Sequence, residues 1–94
     1  MRPFLTSSLP DTQGHVAHVT YQLAGFDRLN FVSDITSTVP QDGSYTIRAI
    51  YFEGDGVQAT GLLTVQMREE QRAQGFLVNR LKSIQGMVSV REVQ

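Results

Sequence analysis

Gly25-Phe26-Asp27-Arg28-Leu29-Asn30-Phe31-Val32-Ser33-Asp34-Ile35-Thr36 joins a run of alternating apolar residues to a run with helical spacing. Such a junction reads as a strand that enters a tight turn and then a helix. Gly25 accepts backbone angles that a side chain would forbid. Asp27 has the chemistry of an N-cap for a helix starting at Arg28, because its carboxylate can accept the unpaired amide hydrogens of the first turn. Those amides make the turn attractive to a carboxylate or phosphate. A small-molecule site is therefore expected at this turn before any other place in the chain.

Upstream of the turn, His15 to Leu23 alternates, with Ala17, Val19, Tyr21 and Leu23 on one face and Val16, His18, Thr20 and Gln22 on the other. This is the pattern of a half-buried strand. Downstream, Leu29, Phe31, Val32, Ile35, Thr36 and Val39 recur at helical spacing until Pro40 ends the helix. Gln41-Asp42-Gly43 is a loop. Ser44 to Phe52 predicts a second strand, rich in β-branched and aromatic residues, whose two faces are both apolar: Tyr45, Ile47, Ala49 and Tyr51 on one, Ile50 and Phe52 on the other. Either a partner covers the second face or those side chains tolerate exposure. Glu53-Gly54-Asp55-Gly56 carries the Asp-Gly hairpin signal.

Val57 to Met67 predicts a third strand with Gly61, Leu63, Val65 and Met67 on one face; Gly61 marks a bulge or close packing under a helix. Glu69 to Ile84 predicts a second helix, interrupted in composition by Gly75, where close approach to the sheet or the other helix would offset the cost of a glycine. Gly86 fits a C-terminal cap, and Met87 to Val93 a last strand. The order βαββαβ predicts an α+β, ferredoxin-like fold, a four-stranded antiparallel sheet with both helices on one face.

Met1 to Gly14 has no periodicity and reads as a linker or tail, in which Phe4 and Leu5 could dock locally or pair as a short extra strand; residues 15–94 form the domain. Ninety-four residues suffice for one domain with a modest core. A formal net charge of −1, with seven Arg and one Lys dispersed along the chain, argues against electrostatic binding of DNA. The chain has no Cys, which excludes disulfides, thiol catalysis and a cysteine zinc site. It has no apolar run long enough to span a membrane. Nothing near Met1 reads as a secretory leader, so the expected location is cytoplasmic.

Other candidate chemistry reads as structural. His15 and His18 are three apart on a strand and point to opposite faces, which disfavours a shared metal. Gly54-Asp55-Gly56-Val57-Gln58 is similar to the Gly-x-Val-Gln-Gly run of acylphosphatases but lies in the second turn rather than after the first strand, with Arg68 a whole strand away. RNA-recognition domains of this topology stack bases on aromatic residues of the central strands, whereas the third strand offers Leu62, Thr64 and Gln66. Asp27 and Asp34 would lie roughly 10 Å apart along a helix, too far for one proton or metal. No catalytic residues, metal or cofactor are expected.

The pattern Gly-x-Asp-Arg-x-x-x-x-x-Asp-Ile-Thr at Gly25–Thr36, with Tyr45–Ile50 and Leu81–Val90, resembles an ACT domain, most nearly the C-terminal ACT domain of RelA/SpoT-type enzymes, the stringent-response enzymes that make and degrade (p)ppGpp. The resemblance runs from about His15 to Val93. It implies a non-catalytic regulatory module, free-standing or cut from a GTP pyrophosphokinase, with an amino-acid ligand lined by Gly25, Phe26, Asp27, Arg28, Leu29 and Asn30, and by Thr46. Many amino-acid-binding members carry Gly where this chain has Asn30 and Asn where it has Thr46. Those departures favour the alternative, a protein or ribosome interaction module of the same fold without a small ligand. In this topology the second strand is an edge, and an exposed apolar edge invites pairing with a second copy. A homodimer is expected through Thr46, Arg48, Ile50 and Phe52.

Overall fold

The computed structural model describes residues 15–93. The expectations for Met1–Gly14, including Phe4 and Leu5, lie outside the described residues. The elements are β1 (Val16–Phe26), α1 (Phe31–Thr38), β2 (Tyr45–Gly54), β3 (Gln58–Arg68), α2 (Glu69–Gln74), α3 (Phe76–Lys82) and β4 (Met87–Val93). The sheet is antiparallel, in the order β2-β3-β1-β4. This is the ferredoxin-like arrangement, with β2 at one edge and β4 at the other.

Alternation does what it predicts in the two central strands. Val19, Tyr21 and Leu23 of β1 and Leu63, Val65 and Met67 of β3 are buried on one face, against Phe31, Ile35 and Val39 from the α1 segment and Leu77 and Leu81 of α3. One apolar cluster therefore lies between the sheet and the helices, and His18, Gln22, Thr60 and Leu62 remain on the open face.

The two apolar faces of β2 have a cause that needs no partner. Ile47 pairs with Val65, but Ala49 pairs with Thr64, so Arg48 is an extra residue in a β-bulge. The bulge shifts the side-chain phase by one. Tyr45 and Ile47 before it, and Ile50 and Phe52 after it, all lie on the helix-covered side, because their β3 partners Met67, Val65, Leu63 and Gly61 do. Ala49 and Tyr51 pair with Thr64 and Leu62 of the open face. The strand is amphipathic once the extra residue is counted.

Gly61 lies in uninterrupted register in both its pairings, so it marks no bulge. It makes room on the inner face for the Phe52 ring: a Cβ there would fall 2.5 Å from Phe52 Cγ and 2.1 Å from the Tyr51 carbonyl oxygen. Phe52 in turn meets Phe31 edge-on, with ring centroids 6.2 Å apart.

The expected single helix from Glu69 to Ile84 is two helices. Gly75 has φ +70°, a left-handed angle that ends α2 and starts α3. A Cβ at Gly75 would meet nothing within 4 Å, so close approach is not the reason for the glycine; the backbone angle is. The break turns Leu77 and Leu81 into the core while Ala73 stays exposed and Phe76 remains 47% exposed. Gly86 does not cap this helix directly: α3 ends at Lys82, and Gly86, with φ +88°, shapes the turn before β4.

Candidate functional site

β1 continues three residues past its predicted end at Leu23 and takes in Ala24, Gly25 and Phe26. Gly25 is buried, and a Cβ on it would fall 2.5 Å from Phe31 Cζ and 2.6 Å from the Gly86 carbonyl oxygen. Its smallness is what lets α1 start directly over the end of the strand. On β4 the register slips between Ala24 and Gly25, which leaves Val88 without a partner on β1.

Asp27 does not cap α1. The helix starts at Phe31, with Asn30 at the N-cap position in the left-handed region (φ 69°) and no side-chain cap. Asp27 is instead drawn across to the β2–β3 hairpin. Its backbone amide donates to the Val57 carbonyl at 3.0 Å, and its carboxylate accepts from the Gly56 amide at 2.8 Å. Gly54 admits this contact, since a Cβ there would fall 2.3 Å from Asp27 Oδ2. Within the hairpin the Asp55 carboxylate accepts from the amides of Gln58 and Val57, which hold it below the usual carboxylate range.

Arg28 ties the turn the other way. Its guanidinium donates to the Gln85 carbonyl from Nε at 3.1 Å and from a terminal nitrogen at 2.8 Å, to Leu29 O at 3.0 Å and to Asp34 Oδ2 at 2.8 Å. It also lies 5.5 Å from the centre of the Phe31 ring. Phe26 N donates to Gly86 O at 3.0 Å. The Gly25–Asn30 segment is thus pinned by side chains to both neighbouring loops at this end of the sheet. Asp27 and Asp34 do not act as a pair: one belongs to the hairpin, the other to Arg28.

Around this frame the surface is apolar. Phe26 is 60%, Leu29 86%, Val57 74% and Val88 67% exposed. Gly25, Phe26, Val57, Gln58 and Val88 line a shallow depression of about 220 Å³.

Thr46 is not part of this site within one chain. It pairs with Gln66, whereas the turn adjoins Gln58 and Ala59, so about 25 Å of strand separates them. The four expected edge residues also divide: Thr46 is on the open face, Arg48 is the bulged residue, and Ile50 and Phe52 face inward. The sequence reading missed Gly56, Val57, Gln85 and Gly86. A signal for them existed, since the βαββαβ order puts the end of β1, the β2–β3 hairpin and the start of β4 at the same end of the sheet.

His18 lies exposed on the open face, and the His15 carbonyl accepts from the Glu69 amide at 2.8 Å. Among the described residues no cluster of three or more His, Asp or Glu is placed to hold a metal ion, and no helix is long and apolar enough to cross a membrane.

No protein-family model matches the chain, and no curated protein matches it by sequence. Solved structures do match by shape. The crystal structure of the ACT domain from the GTP pyrophosphokinase of Chlorobium tepidum superposes with a TM-score of 0.71 at 18% identity, over 84% of this chain and 100% of that one. An unknown protein from Galdieria sulphuraria gives a TM-score of 0.66 at 19% identity, and a homoserine dehydrogenase from Thiobacillus denitrificans gives 0.64 at 18%. The match spans 46% and 18% of those two longer chains. At these identities the likeness establishes the fold: the chain has the ferredoxin-like architecture of ACT domains.

Proposed function

We propose that this chain is a non-catalytic regulatory module of the ACT type, working as a homodimer that biases attached or associated catalytic domains, as in a RelA/SpoT-type GTP pyrophosphokinase. The observation that carries the reading is the Gly25–Asn30 turn, braced against the hairpin that ends β2, which is an edge strand among the described residues. Antiparallel pairing of two β2 edges about a two-fold axis near Ile50 would set Thr46 of the partner subunit beside Gly54 of this one. Gly54 is in contact with Asp27. The two parts of the expected amino-acid site, far apart in one chain, would then meet across the dimer. A ligand bridging them would favour one dimer arrangement, and its effect on attached domains would equal its differential affinity for the two arrangements.

The second reading is a protein or ribosome interaction module with no small ligand. It is favoured by the commitment of Asp27 and Arg28 to contacts within the chain, and by the apolar Phe26, Leu29, Val57 and Val88 around them.

A thermal-shift screen against the twenty amino acids and guanine nucleotides separates the two. A ligand that binds only the folded form raises the melting temperature with concentration. The sensor reading expects one reproducible amino-acid hit that Asp27→Ala loses. Silence at millimolar concentrations leaves the interaction module, whereas a hit unaffected by Asp27→Ala keeps a sensor but rejects the proposed contact.

A further inference from the structure

Two depressions meet at the hairpin end of the sheet. One is the apolar depression that Phe26, Val57 and Val88 line. The other, of about 210 Å³, is lined by Glu53, Gly54, Asp55, Gln58 and Thr60. Gln58 belongs to both, so they form one surface. Phe26 pairs with Gln58, and Glu53 pairs with Thr60 two residues further along β3, so these side chains share the open face. The second wall is acidic and uncompensated. The Asp27 and Asp55 carboxylates accept from backbone amides, and Glu53 accepts from the Tyr51 hydroxyl. Among the described residues none of the three forms an ion pair. Arg28, the cation of the neighbouring turn, is already paired with Asp34 at 2.8 Å. Three large apolar side chains exposed around one depression mark an interaction surface.

We propose that this surface docks an extended segment of a partner protein, one that carries an aliphatic or aromatic side chain with a Lys or Arg two positions away. The inference deepens the interaction-module reading and rests on it. Spacing sets the pattern. Phe26 and Glu53 are separated by two residues along β3 and two strand spacings across it, roughly 12 Å in all. Residues i and i+2 of an extended chain project to one side about 7 Å apart, and the long stem of Lys or Arg covers the remainder. The apolar side chain fills the depression at Phe26, Val57 and Val88 while the cation meets Glu53 and Asp55. Charge disfavours the other occupants. Nucleic acid and an anionic membrane would meet like charge. A second copy seated on the same surface about a two-fold axis would bring two uncompensated acidic walls into one interface.

The test is a backbone-amide NMR titration of the full chain with the peptide acetyl-Lys-Ser-Leu-Ser-Lys-amide, in which a basic residue stands two positions from the leucine in either direction. Saturable shifts at Phe26, Val57, Gln58 and Val88 are expected at millimolar concentration. The Lys-Ser-Ser-Ser-Lys counterpart should bind roughly tenfold more weakly, for want of the buried leucine, and the Glu-Ser-Leu-Ser-Glu counterpart should not saturate. Glu53→Gln, an exposed change that still offers Tyr51 an acceptor, should weaken the lysine peptide about two- to fivefold, the worth of an exposed charge pair, and flatten its salt dependence. Val57→Ser should weaken it about fivefold or more. Equal affinity for the lysine and glutamate peptides would keep an interaction surface here but overturn its basic partner, as would saturation of these residues by an oligouridylate. An unperturbed patch with all three peptides would overturn the docking surface itself.

Discussion

Gly25→Ala tests the frame of the candidate site with a single methyl group. Gly25 lies in β1 and is not among the residues with positive φ, so alanine meets no backbone penalty and would by itself stabilise by about 0.4–1 kcal/mol through a stiffer unfolded chain. Packing opposes this. The new Cβ would lie 2.5 Å from Phe31 Cζ and 2.6 Å from Gly86 O. Neither neighbour yields readily: Phe31 is 2% exposed and braced by Phe52, and Gly86 O holds the Phe26 amide at 3.0 Å. Overpacking of this kind costs about 1–3 kcal/mol. The net loss is then about 1–2 kcal/mol, which lowers the melting temperature of a domain this size by roughly 5–15 °C. Urea and thermal unfolding of the variant measure it, and a cycle with Phe31→Leu apportions it. If the ring is the obstacle, the shorter side chain should recover at least about 0.5 kcal/mol in the double variant. A Gly25→Ala protein as stable as the parent would refute the close packing of strand end, helix and loop on which the candidate site rests.

Gly75→Ala should cost roughly 1–2 kcal/mol in urea unfolding, from the left-handed angle alone, and Gly75→Asn less; equal stability of the alanine variant would mean that the helix straightens freely. Ile50→Lys should give monomers in sedimentation while the thermal transition is kept, because Ile50 is 38% exposed and a lysine stem there can reach water; a persistent dimer places the interface elsewhere. Burial, and secondarily Glu92, pushes the Tyr21 phenol up to about 12 from an ordinary value of 10. The unfolded chain therefore ionises first, so stability should be level below pH 10 and fall between about pH 10 and 12; Tyr21→Phe should reduce that fall, and an unchanged alkaline profile would show that Tyr21 is not its source.

The central strands, α1 and the βαββαβ order were legible because β1 and β3 alternate without interruption and Pro40 ends the helix unambiguously. β2 was not, for a specific reason. Alternation is read in steps of two, and one inserted residue at Arg48 inverts every later position. Only the pairing with β3 exposes the insertion, and pairing is a non-local fact. Asp27 was misplaced for a related reason. Its side chain suits an N-cap, but the Gly56 amide, distant in sequence, competes for it and wins. The glycine at position 75 is a correct signal with a different cause from the one expected. A glycine between two helical runs can serve close approach or a positive φ, and only the backbone angle tells them apart. Thr46 entered the site through a family pattern, and one chain alone leaves it at the far end of the sheet.

The bulge at Arg48 has a further effect on how two copies could join. A regular edge strand can slide along another by two residues and still match side to side, so its pairing is degenerate. A strand with one surplus residue and a local increase in twist has no such translational freedom. Its halves on either side of the irregularity are out of step, and a joint between two such strands fits only where the irregularities are placed symmetrically. In a dimer paired through β2, Arg48 would work as a stop on the rail: it would limit the pairing to few registers and make any change of arrangement a discrete jump rather than a drift.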